Sequence, residues 1–399
     1  MANSATLAQP AIRDTDGKPA AAFAPLTAVA TGPWRELAAR AIEPNGYYLP
    51  EWALAVSGSA RGRTGASALS AWSDPAAAHP GAARLIGLMP VVSLWRAYAI
   101  PLPALVSAHP YGTLCTPLID GSSRRDSVRR LMTAARAAGA HALILREMAI
   151  DGAAMRALAD ALREDGLCPR LLRSHRRACL DANRDGDEVL REALGARKLK
   201  ELRRQRHRLA DQGAVAFEVA QTPQAVEAAI EGFLTLEASG WKGRRGTALA
   251  QHPGDAAFVR SASVALAAHG QCEVVTLRAG TIAVAAAIVL RHQHRAFYFK
   301  LGVDERFARL SPGVQLTLEL TRHLCDDPAI QSADSMASAD HPMINPIWRG
   351  RFEIGDVLIP LRPRDPMVAM ISTAIRLRGS FHDGARGALR LIRHHRGTK

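Results

Sequence analysis

"FYFKLGVDERFARLSPGVQLTLEL", residues 297–320, joins three patterns without a break. Phe297 to Leu301 is a β-rich, strand-like run. Residues 304–311 are polar, and from Pro312 onward Val314, Leu316, Leu318, Leu320 and then Leu324 supply burial for a helix over 313–325. Ser311 is a natural N-cap and Pro312 a natural first helical residue. A strand that runs into a helix start leaves backbone N–H groups unpaired and a partial positive charge of ~0.5 at the loop. Pro312 has no N–H, so Gly313, Val314 and Gln315 are the donors, with Arg309 a nearby cation and Gly313 a place for close approach. Such a mouth suits a phosphate or pyrophosphate. A Ser-Pro-Gly run that merely starts a helix is the plainer alternative.

The flanking sequence gives that stretch a context. "VAFEVA" (215–220) reads as a strand, and Thr222-Pro223 opens an amphipathic helix to residue 238 with Val226, Ile230, Phe233 and Leu234 on one face. A second helix follows over 254–268. "CEVVTLR" (272–278), "TIAVAAAIVL" (281–290) and "RAFYFKL" (295–301) read as an antiparallel meander, with later strands at 330–336 and 352–359. The first half is fainter: a helix begins at "YYLPEWALAV" (47–56), "RLIGLMPVVSLW" (84–95) reads as paired strands, helices cover 122–139 and 152–166, and "HALILREMA" (141–149) is a buried strand.

At 399 residues the chain suits two or three folded units, and 48% hydrophobic with 22% charged residues excludes a chain dominated by disorder. No run is long and apolar enough to span a bilayer, and the N-terminus lacks a secretory pattern, so a cytoplasmic location is expected. Five scattered cysteines without a C-x-x-C pair read as reduced thiols and argue against a disulfide framework or a cysteine-rich metal site. The net charge of +14 is concentrated: eight Lys/Arg face two Glu between Arg191 and Arg208, and seven basic residues face one Asp between Pro366 and Lys399. That distribution points to local basic surfaces and away from a DNA-binding protein.

"RKLKELRRQRHRLADQGAVAFEVA", "FLTLEASGWKGRRGTAL", "DERFARLSPGVQL" and "DSMASADHPMINPIW", over roughly 197–348, together with this element order, resemble the GNAT acyltransferase superfamily. The resemblance is strongest to the CelD/BcsL-type acetyltransferases of cellulose and exopolysaccharide biosynthesis, which are related to the FemABX peptidyltransferases. It implies an α+β fold of two GNAT-like domains, each a central mixed, mainly antiparallel sheet flanked by helices. The expected division is a flexible leader (1–25), an N-terminal domain (26–180), a linker with a basic helix (181–212), a C-terminal acyltransferase domain (213–365) and a basic helical tail (366–399). It also implies acetyl-CoA or another acyl-CoA as co-substrate, its pyrophosphate on the loop between the strand at 295–301 and the helix at 313–325, with Arg309, Ser311, Gly313, Val314 and Gln315 in contact. The superfamily's Q/R-x-x-G-x-G/A pattern places Arg309 first, but Pro312 and Val314 stand where it has small residues. The expected reaction is N- or O-acyl transfer to a sugar or polysaccharide precursor. A FemABX-like ligase using aminoacyl-tRNA and a non-catalytic scaffold in a polysaccharide-synthesis complex are the alternatives.

Acyl transfer needs a base, an oxyanion contact and a proton for the leaving thiolate. His341 is the first expectation for the base, with Asp340 or Asp334 orienting it, because imidazole titrates near neutrality. Glu237, where the first helix of the second half ends, competes for the role, against the plain reading of a solvated helix-end carboxylate. Trp241 could form a sugar platform and Lys242 an oxyanion or phosphate contact. His252, also followed by proline, is the weaker candidate. No metal set is spaced in the sequence, and no G-x-S-x-G elbow occurs. The basic helix at 191–209 reads as a solvated linker or as a dock for tRNA phosphates, anionic glycan or lipid headgroups, and the basic tail as a peripheral membrane contact.

Overall fold

The structure, a computed structural model, describes residues 21–74 and 83–379. The first half contributes β1 (Phe23–Pro25), α1 (Thr31–Arg40), α2 (Pro50–Ser59), β2 (Ser67–Trp72), β3 (Leu85–Ser93), α3 (Leu94–Tyr98), β4 (Ala104–Ser107), β5 (Leu118–Ile119), α4 (Arg124–Ala137), β6 (Ala142–Ala149), α5 (Ala153–Glu164) and β7 (Arg170–Asp181). The second contributes α6 (Gly186–Ala210), β8 (Val215–Ala220), α7 (Pro223–Ser239), α8 (Trp241–Arg244), α9 (Pro253–Ala267), β9 (Cys272–Ala279), β10 (Ile282–His292), β11 (Arg295–Val303), α10 (Pro312–Cys325), β12 (Ser332–Asp334) and β13 (Gly350–Pro360). A last helix, α11, covers 366–379.

The expected mixed, mainly antiparallel α+β architecture is present, and the two halves share a single sheet. Its order is β1-β2-β3-β4-β6-β13-β7-β12-β11-β10-β9-β8, with β5 attached to β3. The halves exchange their last strands: β7 pairs antiparallel with β12, and β13 pairs antiparallel with β6. The two exchanged strands also pair with each other along most of their length. Three ladders therefore cross the expected boundary near residue 181, which ties the halves together by main chain and not only by side-chain packing.

Each half contains one short parallel pair of the same kind. In the first, Ala104, Leu105 and Val106 of β4 align with Ala142, Leu143 and Ile144 of β6. In the second, Arg295, Ala296 and Phe297 of β11 align with Ser332, Ala333 and Asp334 of β12. Trp52 of α2 joins the halves on the opposite level, packing edge-on against Phe299 with ring centres 4.8 Å apart and against Phe258 at 5.5 Å. Each such pair adds about 0.5–1.5 kcal/mol beyond area burial.

Several sequence expectations change. Residues 84–95 form the one strand β3 and the start of α3, because Ser93 caps that helix by accepting from the Arg96 N–H. Most of the expected leader lies outside the described residues, but Phe23–Pro25 pairs with β2. The basic helix is longer than expected, beginning where Asp185 accepts from the Glu188 N–H, and it kinks at Gly195, whose φ is 72°. Residues 380–399 of the expected tail lie outside the described residues.

Candidate active site

The site begins with an irregularity in β11. Ile288 and Val289 of β10 pair with Lys300 and Tyr298, so Phe299 is an extra residue, a β-bulge. Bulges bend a strand and re-aim its side chains. Here both Phe299 and Lys300 reach the α7 side: Phe299 meets Trp52, and Lys300 Nζ donates to Glu237 Oε1 at 3.1 Å. Pairing with β12 stops at Phe297 and Asp334, and beyond them the two parallel strands part. The opening between them is the candidate cleft.

Glu237 lies on one wall and is 2% exposed. Its Oε1 accepts from Lys242 Nζ at 3.3 Å as well as from Lys300, and Oε2 accepts from the Leu249 N–H at 2.9 Å. The helix can come this close because residue 302 is glycine, where a Cβ would stand 3.0 Å from the Glu237 nitrogen. Glu237 is thus not a solvated helix-end carboxylate, and a carboxylate whose oxygens are both engaged is poorly placed to take a proton. It holds two ammonium groups in place instead. Lys242 also donates to the Leu301 carbonyl at 3.0 Å, and burial draws its ammonium below the usual lysine range, partly offset by Glu237. Trp241 beside it is exposed, with the Arg245 guanidinium 5.1 Å from the ring centre. Glu305 fixes this corner, accepting from the Trp241 N–H and from Arg244, each at 2.6 Å.

At the helix mouth, Ser311 occupies the N-cap position in the left-handed region (φ 53°, ψ 50°), and its hydroxyl makes no capping bond. The left-handed turn, unusual for a non-glycine residue, replaces the extended backbone that lets a serine cap. Gln315 is withdrawn from the donor set, since its N–H goes to the Ser311 carbonyl at 3.0 Å and its buried side chain donates to the Leu202 carbonyl at 2.7 Å. The Gly313 and Val314 amides keep no hydrogen-bond acceptor among the described residues. Gly313 serves close helix–strand packing more than ligand approach, as a Cβ there would lie 3.0 Å from Leu301 Cδ2 and 3.1 Å from Val303 Cγ1. Arg309 is exposed beside the mouth. Along the outer side of α10 lies α6, held by Arg206–Glu319 at 2.8 Å, with Leu202 and Leu209 buried and Arg197, Lys198, Lys200, Arg203, Arg204 and Arg208 facing solvent.

His341 stands on the turn after β12, half-buried. Burial, with Lys242 contributing, holds its imidazole below the ordinary value of 6.5. Nδ1 accepts a long bond from the Ile344 N–H at 3.4 Å, which leaves the proton of the neutral ring on Nε2; Nε2 becomes a base only in the other tautomer, where that bond is given up. The carboxylates expected to orient it are elsewhere. Asp340 is exposed and makes no bond to the ring. Asp334 is buried and committed to Arg177 at 2.6 Å and to the Met336 N–H at 3.0 Å. His252 is bonded to Arg61 at 2.7 Å and faces the Gly246 carbonyl.

Four cleft residues escaped sequence reasoning. Lys300 had a signal, being the one charged residue after Arg295 in an aromatic strand, but its direction depends on the bulge. Arg177 is fully buried on β7 and donates both to Asp334 and to the Thr113 carbonyl at 2.5 Å. Thr113 donates to the Met336 carbonyl at 3.3 Å, so a loop of the first half lines the opening in the second. Tyr111 on that loop has φ 64°, donates to Asp255 at 2.8 Å, and lies with its ring centre 5.7 Å from Lys300 Nζ. Among the described residues no group of three or more His, Cys, Asp or Glu is placed to hold a metal ion. The arrangement offers two unpaired amides for an anion, a neutral imidazole and two ammonium groups.

Residues 196–341 match the acetyltransferase (GNAT) domain family. No curated protein matches the chain in sequence. Among solved structures, FemX is similar at 11% identity and a TM-score of 0.55, covering 86% of this chain and 98% of that one. The C-terminal domain of a putative lysylphosphatidylglycerol synthetase from Agrobacterium fabrum is similar at 14% identity and a TM-score of 0.51, covering 86% and 96%. A conserved protein of unknown function from Bacteroides thetaiotaomicron gives 12% identity and a TM-score of 0.51, covering 84% and 98%. At these identities the likeness is one of fold. Residues 196–341 thus resemble a GNAT acetyltransferase domain in sequence, and the chain as a whole has a fold like that of FemX.

Proposed function

We propose that the chain is an acyl-CoA-dependent acyltransferase that moves an acyl group, acetyl being the simplest, to a hydroxyl or amine of a sugar or polysaccharide precursor. In this reading the Gly313 and Val314 amides and Arg309 hold the pyrophosphate, and the thioester lies in the opening between β11 and β12. With its ring in the tautomer protonated on Nδ1, which gives up the long Ile344 bond, His341 takes the proton from the acceptor on Nε2 as the acceptor's oxygen or nitrogen attacks the thioester carbon. Lys242 and Lys300, held by Glu237, face the oxyanion that forms. When the carbon–sulfur bond breaks, the imidazolium returns the proton to the thiolate. Trp241 offers an exposed ring to a sugar face.

One observation carries the reading: the strands part directly beside a helix mouth with two unpaired amides. The test is release of free thiol from acetyl-CoA with candidate sugars and amino sugars present. Acceptor-dependent thiol supports the reading, and its loss in His341→Ala supports the assigned base.

A second reading has its own support. The exposed basic face of α6 borders the same mouth, and the fold is like that of FemX, so an aminoacyl group from charged tRNA would fit the FemABX resemblance. Calorimetry with acetyl-CoA against charged tRNA separates the two. The non-catalytic scaffold is supported by the Pro312 and Val314 departures, and by full biological activity of a Gly313→Trp, His341→Ala double variant if that is observed.

A further inference from the structure

The helix α11 is apolar on two sides. Val368 and Ile371 are buried in a small core with Leu94, Ala104, Val106, Ala142, Ile144 and Leu358, and Ile375 packs against it. The other side carries Met370, Thr373, Ala374 and Leu377, spaced i, i+3, i+4 and i+7, with Met370 54% and Leu377 56% exposed. A helix apolar on both sides is ordinarily covered on both. The same small core is shared by α3, where Trp95 is 61% exposed, the most of any large apolar side chain among the described residues. A tryptophan with its ring in solvent and an indole N–H suits the boundary between hydrocarbon and water.

The charge on the helix itself has one sign, and the acidic groups nearby are already paired, Asp365 with His141 at 2.6 Å and Asp356 with Arg173 at 2.6 Å. From Pro366 to Gly379 there is no acidic residue. Arg96 and Arg364 are exposed nearby in sequence, and the Arg378 guanidinium lies 5.6 Å from the Tyr98 ring centre, joining α11 to α3. The sequence after α11, residues 380–399, adds five Lys/Arg against one Asp. An apolar stripe on α11, an exposed tryptophan on the neighbouring α3 and arginines on both helices together suit an anionic lipid surface, where apolar insertion and headgroup attraction act together.

We propose that α3 and the outward face of α11 dock this protein on anionic membrane surfaces, with Trp95, Met370 and Leu377 inserted at the headgroup level. The proposal stands apart from the acyl-transfer reading. The test is sedimentation of the full chain with vesicles of phosphatidylcholine alone and of phosphatidylcholine with phosphatidylglycerol. Binding is expected only to the mixed vesicles, weakened by added salt, and about tenfold weaker in Trp95→Ser and in the Met370→Ser, Leu377→Ser double variant. These side chains are exposed, so the variants should melt like the parent; a chain ending at Gly379 should keep the dependence on Trp95. Absence of binding to the mixed vesicles overturns the proposal. So does binding that is unchanged in the variants, binding carried wholly by residues 380–399, or a face that proves to be covered by a second copy of the chain.

Discussion

The two short parallel strand pairs, β4 with β6 and β11 with β12, start alike and end differently. Each aligns three residues and then parts. In the first half the gap is filled at once: the Arg146 N–H donates to Ser107 Oγ at 2.9 Å, and its guanidinium donates to the Ser107 carbonyl at 2.8 and 3.2 Å. The chain then passes through β5 before α4 begins. In the second half, β11 leads to a helix mouth with two unpaired amides, and the gap is lined by Lys300, Thr113 and Met336. One framework was thus used twice, and only in the second copy does the end of the strand pairing lie beside a helix mouth with two unpaired amides. Because the first half's loop at Tyr111 and Thr113 lines the second half's cleft, the closed copy also helps to build the open one.

The largest expected effect on this contrast is on activity. His341→Ala should lower kcat about 10²–10⁴-fold in the thiol-release assay while binding of acetyl-CoA is kept. Arg146→Met, in the closed copy, should leave kcat within about twofold and cost stability of about 1–3 kcal/mol by stranding the Ser107 carbonyl. Equal losses from both variants would erase the distinction between the copies.

The next effect is on the seam. Arg177→Ala leaves Asp334 charged and buried, which should cost about 3–5 kcal/mol in denaturant unfolding. A loss under 1 kcal/mol would mean that water reaches the pair and that the exchanged strands are looser than the ladder suggests. Gly313→Val should cost about 1–3 kcal/mol through crowding against Leu301 and Val303. An unchanged melting curve would show room at the mouth that the packing denies.

The smallest effect is in pH. Because burial lowers the His341 pKa, its neutral form persists below pH 6.5, and kcat should fall on the acid side only beneath that value. The acid limb should move up towards 6.5 in Lys242→Met, which removes the nearby cation. A limb that stays in place would assign the titration to another group.

Much of the second half was legible. Thr222-Pro223, Pro312 and the β-rich runs encode their elements locally, and α7, α9, β9 to β11 and α10 lie where these signals put them, although Ser311 does not cap α10 as its residue type suggested. The strand exchange was not legible. The β7 sequence "RLLRSHRRACLD" is rich in arginine and lacks an apolar alternation, because Arg177 is buried by a partner 157 residues away and several others lie exposed along the ladder. The site was read by residue type better than by partner. Glu237 and Lys242 come together through the end of α7, but Lys300 joins them only because of the bulge at Phe299. Asp340 lies next to His341 in sequence and apart from its ring in space, since a turn points successive side chains in different directions.

The central claim is that one of the two strand openings takes the carrier, through the amides of Gly313 and Val314. Calorimetric titration of the full chain with acetyl-CoA tests it most directly, alongside Val314→Pro, which removes one amide in a helical turn that tolerates proline. The account predicts one site per chain and binding about tenfold weaker in the variant. Two sites per chain, no binding, or equal affinity in Val314→Pro would contradict it.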